Sequence, residues 1–504
     1  MAAKTVAHPS VADRRAKGAD ARIATPPSNH TGWVPAADRG DPVALLEAQN
    51  VTREQDLVPV RHGRMAVSPF TFYRGAAKIM ANDLAGTPTA GLEAQLCGDA
   101  HLSNFGGFAS PERKLMFDLN DFDETLPGPF EWDVKRMAAS FTIAARNNGL
   151  TPAEAREATL SSVRSYRQAM AQFAEMRTMD LWYTHMSEDD LRVALGKITA
   201  LGDGAKAAKG KPAKGAKGDK DAKAKSGKGL SAEEAAAVKA AQRADKALQK
   251  AHTRDSLQAL SKLGEVVDGH YRIKSQPPVV VPLREIGLAN NMDAEQIEQV
   301  IRDQFREYRA TLQDDRRHLL ERFEIIDVAR KVVGVGSVGT RGFIALLQGR
   351  DEQDPLFLQV KEATRSVLED HLPKSRYHNP GERVVQGQRA MQAASDIYLG
   401  WTKGVQEDRY YYWRQLRDMK ASAVVEGMSA FVLAFYGTLC GWTLARAHAR
   451  TGDSVALAEY LGQDDSFDLA ITDFSERYAE QNEKDYQEFT AAIASGRLEA
   501  VTGI

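Results

Sequence analysis

Apolar residues recur along this chain at two different spacings, and each spacing predicts a different kind of element. Val134, Met137 and Phe141 lie three or four residues apart, which predicts a helix after the polar segment that precedes them. Residues 342–349 and 355–363 form two short apolar runs joined by a polar turn, which predicts a pair of strands. The chain therefore mixes helices and strands, and the strands come in short successive runs.

Two further apolar stretches predict elements in the last quarter of the chain. Tyr410 to Leu416 is rich in aromatic residues, which favours a strand. Residues 430–449 predict a long apolar helix. The apolar part of this stretch is interrupted by Gly437 and Gly441, so we expect a buried helix and no membrane span.

Composition changes along the chain and predicts where its folded parts begin and end. The first 45 residues lack apolar periodicity, which predicts a mobile tail. Lys206 to Lys228 contains nine lysines in 23 residues and no large apolar side chain, which predicts a disordered insertion. The predicted segments are a tail (1–45), a first folded portion (46–201), the insertion (202–230), a helical segment with an extended Pro-rich linker (231–282), a second folded portion (283–420) and C-terminal helices (421–504).

Charge and cysteine content exclude several classes of protein. The net charge of −2 over 504 residues provides no overall basic field for nucleic acid, and the lysine-rich insertion is the only hint of such a partner. The two cysteines, Cys97 and Cys440, are too few for a disulfide framework. The first residues lack the apolar core of a secretory signal, so we expect a cytoplasmic protein.

The stretch from Cys97 to Glu124 is the strongest indication of chemistry. It contains an Asp-x-x-x-x-Asn loop formed by Asp99 to Asn104, a short predicted hairpin, and then the acidic turn that contains Asp121 and Asp123. Phosphoryl transfer uses one carboxylate to orient or deprotonate the acceptor hydroxyl, and an Asn with a second carboxylate to hold Mg²⁺ on the nucleotide. We therefore predict Asp99 as the catalytic residue, and Asn104 and Asp121 as metal ligands. Asp123 is predicted as a further metal contact, and the alternatives are a residue that supports the ligands or an ordinary turn residue.

A glycine-rich loop lies more than two hundred residues downstream. It contains Gly334, Gly336, Ser337 and Gly339, and glycines allow a backbone to approach phosphate oxygens closely. A dinucleotide-binding turn would require a helix directly after the glycines, whereas an apolar strand pattern follows them. Lys361 lies near the end of the next predicted strand, and this layout is that of a kinase nucleotide-binding lobe.

Several roles remain open for the residues around Lys361. This side chain is predicted to contact the nucleotide phosphates, and the alternative is an ordinary solvated lysine on a strand. Its acidic partner is expected on the following helix, where Glu382 is the first candidate and Glu369 the second. Arg64 and Arg74 are candidates either for phosphate contact or for structural ion pairs.

These motifs resemble the catalytic segment of aminoglycoside and choline kinases, whose pattern is His-Gly-Asp-x-His-x-x-Asn followed by Asp-Phe-Gly, Asp-Phe-Asp or Asp-Phe-Glu. Asp99, Asn104 and Asp121 match its catalytic Asp, metal-binding Asn and metal-binding Asp, while Cys97 replaces the usual His. Across most of its length the chain also resembles the bacterial family known as domain of unknown function 2252. The resemblance implies a kinase-like fold, with ATP and Mg²⁺ as cofactors, and no established substrate.

The order of the motifs is reversed relative to those kinases. The glycine loop and Lys361 follow the catalytic loop, and the segment 444–448 resembles the helix that normally precedes that loop. We therefore expect a bilobal α+β, protein-kinase-like fold that is circularly permuted and transfers phosphate from ATP to a small hydroxylated molecule. The alternatives are a nucleotidyl (AMP) transferase on the same fold and a non-catalytic nucleotide-binding protein. The acceptor and the oligomeric state cannot be read from the sequence.

Overall fold

The computed structural model describes residues 7–196, 232–289, 294–332, 334–406, 408–416 and 419–503. The predicted lysine-rich insertion, residues 202–230, lies outside these ranges. The described chain is a mixed α+β protein with several antiparallel sheets.

Helices and strands alternate in irregular order along the chain. The first half contains α1 (Val11–Ala24), α2 (Pro42–Asn50), α3 (Val58–Met65), α4 (Pro69–Gly75), α5 (Ala77–Leu84), β1 (Glu93–Leu96), β2 (Phe105–Ala109), β3 (Leu115–Leu119), β4 (Leu126–Pro129), α6 (Phe130–Asn147), α7 (Pro152–Ala174), α8 (Thr178–Tyr183), β5 (Met186–Ser187) and α9 (Ala232–Ala251). The second half contains α10 (Ser256–Leu263), β6 (Gly264–Val267), β7 (His270–Ile273), β8 (Val280–Pro282), α11 (Leu283–Ala289), α12 (Ala294–Ala310), α13 (Asp314–Leu320), β9 (Glu324–Lys331), β10 (Gly342–Gln348), β11 (Pro355–Glu362), α14 (Pro380–Met391), β12 (Gly400–Lys403), β13 (Tyr410–Gln415), β14 (Ala421–Ser422), α15 (Ala430–Thr451), α16 (Ser454–Leu461) and α17 (Ser466–Ala494).

The largest apolar core lies among the long helices α6, α7, α15 and α17. Helix α15 packs along α7, and its glycines allow the close approach. A Cβ at Gly441 would overlap the carbonyl oxygen of Ser162, and one at Gly437 would lie 3.0 Å from the carbonyl oxygen of Ala158. The two glycines therefore form a contact face on the long unbroken helix that the sequence predicted.

Helix α15 is also the one described helix that is long and apolar enough, by length and composition, to cross a membrane. More than half of the apolar window, 56%, is buried inside the fold. Its burial against α7 agrees with the predicted buried helix.

A six-stranded antiparallel sheet in the order β12-β13-β11-β10-β9-β8 forms the second layer of the fold. Alternate side chains of β10 enter two different cores, as expected for a strand covered on both faces. Ala345 and Leu347 pack with Phe305 and Tyr308 of α12, whereas Ile344 and Leu346 pack with Leu260 of α10 and its neighbours. The predicted strands at 342–349, 355–363 and 410–416 are confirmed.

Two smaller sheets support the segment from Cys97 to Glu124. Strand β1 pairs with β4, and β2 pairs with β3 in a four-stranded sheet of order β14-β2-β3-β5. Strands β1 and β2 flank the first loop of this segment, and β3 and β4 flank the second. Because β1 pairs with β4 and β2 pairs with β3, the two loops lie close together.

The structure differs from the expected mobile tail over residues 7–45. Ser10 and Asp13 form a capping box that starts α1, and Arg22 donates hydrogen bonds of 2.7 and 2.8 Å to two carbonyl oxygens at the end of α16. Arg39 is held between Asp83 and Asp485, two buried carboxylates. Capping and buried ion pairs order this segment although its sequence lacks apolar periodicity.

The predicted linker at 277–282 also differs. Val280–Pro282 is an edge strand, β8, that pairs with residues 329–331 of β9. Pro is tolerated at an edge because it need not donate to a neighbouring strand. The six-stranded sheet therefore begins before residue 283.

Candidate active site

The loop that contains Asp99 is held by the first turn of α6. Asp133 accepts hydrogen bonds from the backbone N–H groups of Cys97 and Gly98, at 2.8 and 3.0 Å. Gly98 has φ of +82°, and a Cβ there would overlap the carbonyl oxygen of Glu124. The Gly-Asp pattern thus reflects a tight contact between the two acidic loops.

Asp99 is oriented by Arg136, whose Nε donates to its Oδ1 at 2.8 Å. Burial raises the pKa of Asp99 to about 6, against the opposing effect of the Arg136 guanidinium. His101 lies beside it, with its Nε2 3.8 Å from Asp99 Oδ2, and its Nδ1 accepts from the Ser103 N–H. A carboxylate that titrates near neutral pH can act as a general base.

Asn104 joins the two loops. Its Nδ2 donates to the backbone oxygen of Asp99 at 2.8 Å, and its own carbonyl oxygen accepts from the Asn120 N–H at 2.8 Å. With the amide nitrogen used in this way, the side-chain oxygen of Asn104 is the atom left to face a ligand. Asp121 lies next in the chain after Asn120, so the predicted metal-binding Asn and Asp are brought together.

Lys361 connects the six-stranded sheet to the second acidic loop. Its Nζ lies 2.6 Å from Asp123 Oδ2 and 4.0 Å from Asp121 Oδ2, although Asp123 is 238 residues away in the chain. Burial opposes charge on both partners, but the nearby carboxylates raise the pKa of Lys361 and the ammonium lowers the pKa of Asp123. Tyr412 donates to the second oxygen of Asp123 at 2.6 Å.

Both oxygens of Asp123 are therefore engaged by protein groups, unlike those of a residue that serves mainly as a metal ligand. Asp123 occupies the position of Lys361's acidic partner. This corrects the expectation that Glu382 takes that role.

Helix phase explains why Glu382 does not pair with Lys361. Asn379 caps α14, and the side chain that reaches the acidic loop is that of the next residue, Arg383. Arg383 donates to the backbone oxygens of Asp123, Thr125 and Thr364. The second candidate, Glu369, lies near Arg383 and Arg365 and does not contact Lys361 either.

The glycine loop packs against the N-terminal region, at α3 and at the turn that follows α2. Arg64 donates to the oxygen of Gly334, and Arg53 donates to the oxygen of Val338, each at 2.5 Å. Gly334 and Gly339 have φ of +72° and +87°, which favours glycine. Gly339 lies against the side chain of Arg53 and away from the cavities described next, unlike the other predicted loop residues.

Two cavities meet at the acidic loop. The first, named here the strand cavity, has a volume of about 940 Å³ and lies against β9, β11 and β13, with Lys361, Gln359 and Gln415 in its wall. The second, named the Asp99 cavity, has a volume of about 610 Å³ and contains Asp99 and Asn104. The residues common to both walls are Asp121, Gly334 and Ser337.

Motif reasoning missed several residues of this site. Arg53 contributes to the wall of the Asp99 cavity, Arg136 orients Asp99, and Tyr412 holds Asp123. Arg74, which the sequence left between two roles, also faces the Asp99 cavity. No local pattern marks these residues; the start of α6 after the acidic loop is the one signal that could have indicated Arg136.

Neither cysteine of the chain has the properties of a catalytic thiol. Cys97 and Cys440 are buried and unpaired, and burial raises the pKa of both thiols far above the usual value, so neither is an activated nucleophile.

Among the described residues, no group of three or more His, Cys, Asp or Glu side chains is arranged to hold a metal ion.

Comparison with known proteins gives one family. Searches of curated proteins and of solved structures returned no match. Residues 53–228 and 213–492 match the family described as "Uncharacterized protein conserved in bacteria (DUF2252)", which covers most of the chain. The chain therefore belongs to the DUF2252 family.

Proposed function

We propose that this protein is an ATP- and Mg²⁺-dependent phosphotransferase that moves the γ-phosphate of ATP to a small hydroxylated molecule. Its fold would be a circularly permuted, bilobal kinase-like fold. The observation that carries the proposal is the position of Asp121. This carboxylate lies in the wall of both cavities and 4.0 Å from the Lys361 ammonium of the distant sheet.

The strand cavity is the proposed nucleotide site. Lys361 enters it from β11, and the glycine loop forms part of its wall through Gly334 and Ser337. A buried ammonium supplies fixed positive charge for phosphate oxygens in a region of low dielectric. The Asp99 cavity, on the other side of Asp121, is the proposed acceptor site.

The donor atoms at the junction suit Mg²⁺. This ion prefers oxygen ligands and is commonly held by one or two carboxylates together with nucleotide phosphates. Asp121 and the side-chain oxygen of Asn104 supply such ligands, while Asp123 keeps Lys361 in place. Bound Mg²⁺ would neutralise charge on the phosphates during transfer.

Asp99 is the proposed general base. Arg136 fixes one oxygen of its carboxylate, which leaves the other to accept a hydrogen bond from the acceptor hydroxyl. With a pKa of about 6, Asp99 is ionised at neutral pH and can accept the proton as the phosphoryl group is transferred. Positioning supplies most of the rate in such reactions.

The end of α15 supports the permuted arrangement. Thr451 in its last turn accepts a hydrogen bond from the Gln95 N–H of β1 at 3.2 Å, and β1 leads directly into the Asp99 loop. His448 lies on the same helix, 3.3 Å from the Asp133 carboxylate that holds that loop. These contacts between a late helix and the segment that leads into the Asp99 loop support a permuted order of the chain.

Two substitutions separate binding from transfer. Asp121→Ala should lose Mg²⁺-dependent nucleotide binding, whereas Asp99→Asn should bind Mg-ATP and form no phosphorylated product from an acceptor mixture. Asp473→Ala is a matched control, because Asp473 also precedes a Phe but lies on α17 and in neither cavity wall.

Product mass distinguishes phosphate from AMP transfer. Equal ATP consumption by wild type, Asp121→Ala and Asp99→Asn would contradict the proposed roles. Detection of an AMP adduct would instead indicate nucleotidyl transfer.

A further inference from the structure

We propose that Arg53 and Arg74 form an anion site in the Asp99 cavity, and that the acceptor carries a phosphate or carboxylate group in addition to its hydroxyl. This inference rests on the proposed function and specifies the class of its substrate. It concerns the wall of the cavity opposite the acidic loops.

Most cations of the Asp99 cavity are already neutralised by a neighbouring carboxylate. Lys78 pairs with Asp370 at 2.6 Å. Arg409 pairs with the buried Glu362 at 2.7 Å. Arg365 lies 3.5 Å from Glu369.

Arg53 and Arg74 differ from these three. Within the described part of the chain, neither forms an ion pair, and the buried Nε–H of each has no hydrogen-bond partner.

Arg53 is 9% exposed and is anchored at one end only, through Nη1 to the oxygen of Val338. The carboxylates that attract it are committed elsewhere: Asp123 to Lys361, and Glu362 to Arg409. The third, Glu124, accepts a hydrogen bond from the Val367 N–H at 2.7 Å. The guanidinium is therefore held in the wall with donors to spare.

Arg74 lies at the end of α4, between the glycine loop and Asp99. Its backbone oxygen would be 3.0 Å from a Cβ on Gly336, and Asp99 and Glu426 are the carboxylates that attract its guanidinium. The carboxylate of Asp99 is already hydrogen-bonded to Arg136. Arg74 is thus positioned beside the reacting groups.

Buried donors without partners are unfavourable, and guanidinium groups pair best with carboxylate or phosphate oxygens, often through two hydrogen bonds. Both arginines line the Asp99 cavity, so an anion there would meet two guanidinium groups that lack a carboxylate partner among the described residues. Two sources provide such an anion: a group on the acceptor and the terminal phosphate of ATP. The two arginines line the Asp99 cavity and not the strand cavity, which assigns the anion to the acceptor.

The test measures binding of inorganic phosphate, glycerol 3-phosphate and uncharged glycerol by calorimetry on the full chain with saturating Mg-ADP. Wild type should bind the two anions and not glycerol. Arg53→Gln and Arg74→Gln should each weaken anion binding by about tenfold or more, because each removes charge-assisted hydrogen bonds. In Arg74→Gln, Mg-ADP affinity should change less than about threefold, since the nucleotide occupies the other cavity.

Two further variants make the result specific. Arg350→Gln removes one positive charge from an exposed turn and should leave anion binding unchanged. Arg74→Lys keeps the charge but not the paired donors, so its affinity should fall between those of wild type and Arg74→Gln. Unfolding curves of every variant establish that each one is folded before its affinity is interpreted.

Wild-type affinity for the anions in both glutamine variants would overturn the inference, as would equal binding of glycerol and glycerol 3-phosphate. Anion binding that a non-hydrolysable Mg-ATP analogue abolishes would assign the site to the terminal phosphate and also overturn it. Failure of the phosphotransferase proposal gives a different result, because wild type would then bind no Mg-ADP.

Discussion

Replacing Lys361 by Met removes the cation that joins the six-stranded sheet to the acidic loop. The Nζ to Oδ2 distance of 2.6 Å corresponds to an attraction of about 6 kcal/mol at an effective dielectric constant of about 20. Desolvation of the two charges offsets much of this, and removal of one partner of a buried pair typically costs about 3–5 kcal/mol. Lys361 is 4% exposed but the Asp123 side chain is 29% exposed. We therefore expect Lys361→Met to lower the free energy of unfolding by about 3 kcal/mol, the low end of that range.

A double-mutant cycle in urea measures this contribution. Lys361→Met and Asp123→Asn should each lower the free energy of unfolding, and the double variant should lose clearly less than the sum of the two. Arg177→Met is a control, because its pair with Asp180 is exposed and should contribute less than about 1 kcal/mol. Additive losses for Lys361 and Asp123 would refute the pairing of these two segments.

Three further predictions test other parts of the structure. Turnover should rise with pH through about 6, because Asp99 is protonated below its raised pKa and becomes a base above it, and a pH–rate profile without that step would contradict the role. Gly441→Ala should lower stability by about 2–4 kcal/mol in urea unfolding because its Cβ overlaps the α7 backbone, whereas Gly86→Ala, which has no atom within 4 Å of its Cβ, should change little. Arg39→Ala should cost about 3–5 kcal/mol by leaving two buried carboxylates unpaired, while exposed Arg15→Ala should cost under about 1 kcal/mol, and equal losses would contradict an ordered N-terminal segment.

Local patterns predicted three strands of the six-stranded sheet well. The runs at 342–349 and 355–363 became β10 and β11, and the aromatic run at 410–416 became β13. Each strand has its apolar side chains in a buried core, so the pattern of the sequence and the packing agree. The two acidic loops were also recognisable, because each combines several functional residue types within a few positions.

Side-chain partners across long separations could not be predicted in the same way. Lys361 was expected to pair with Glu382, but the rotation of α14 directs Arg383 towards the loop, and one residue of helix phase decides the outcome. Asp118, in β3 just before the second acidic loop, pairs with Arg446 in the core. Such pairs depend on how elements pack and not on local spacing.

The ordered N-terminal segment was missed for a different reason. Its apolar periodicity is weak, and its stability depends on the capping box of Ser10 and Asp13 and on Arg22 and Arg39, which reach partners more than 40 residues away. The Ser-x-x-Asp pattern of that box is visible in the sequence and could have indicated the start of α1. The distant partners of the two arginines are not indicated by any local pattern in the sequence.

Hydrogen exchange with and without Mg-ATP is the most direct test of the central claim, which is that two segments far apart in the chain bind one nucleotide. The account predicts slower amide exchange at once in residues 98–104, 118–124, 334–341 and 355–362, and no such change in Asp121→Ala. Protection confined to one of the two regions, or no protection at all, would contradict it.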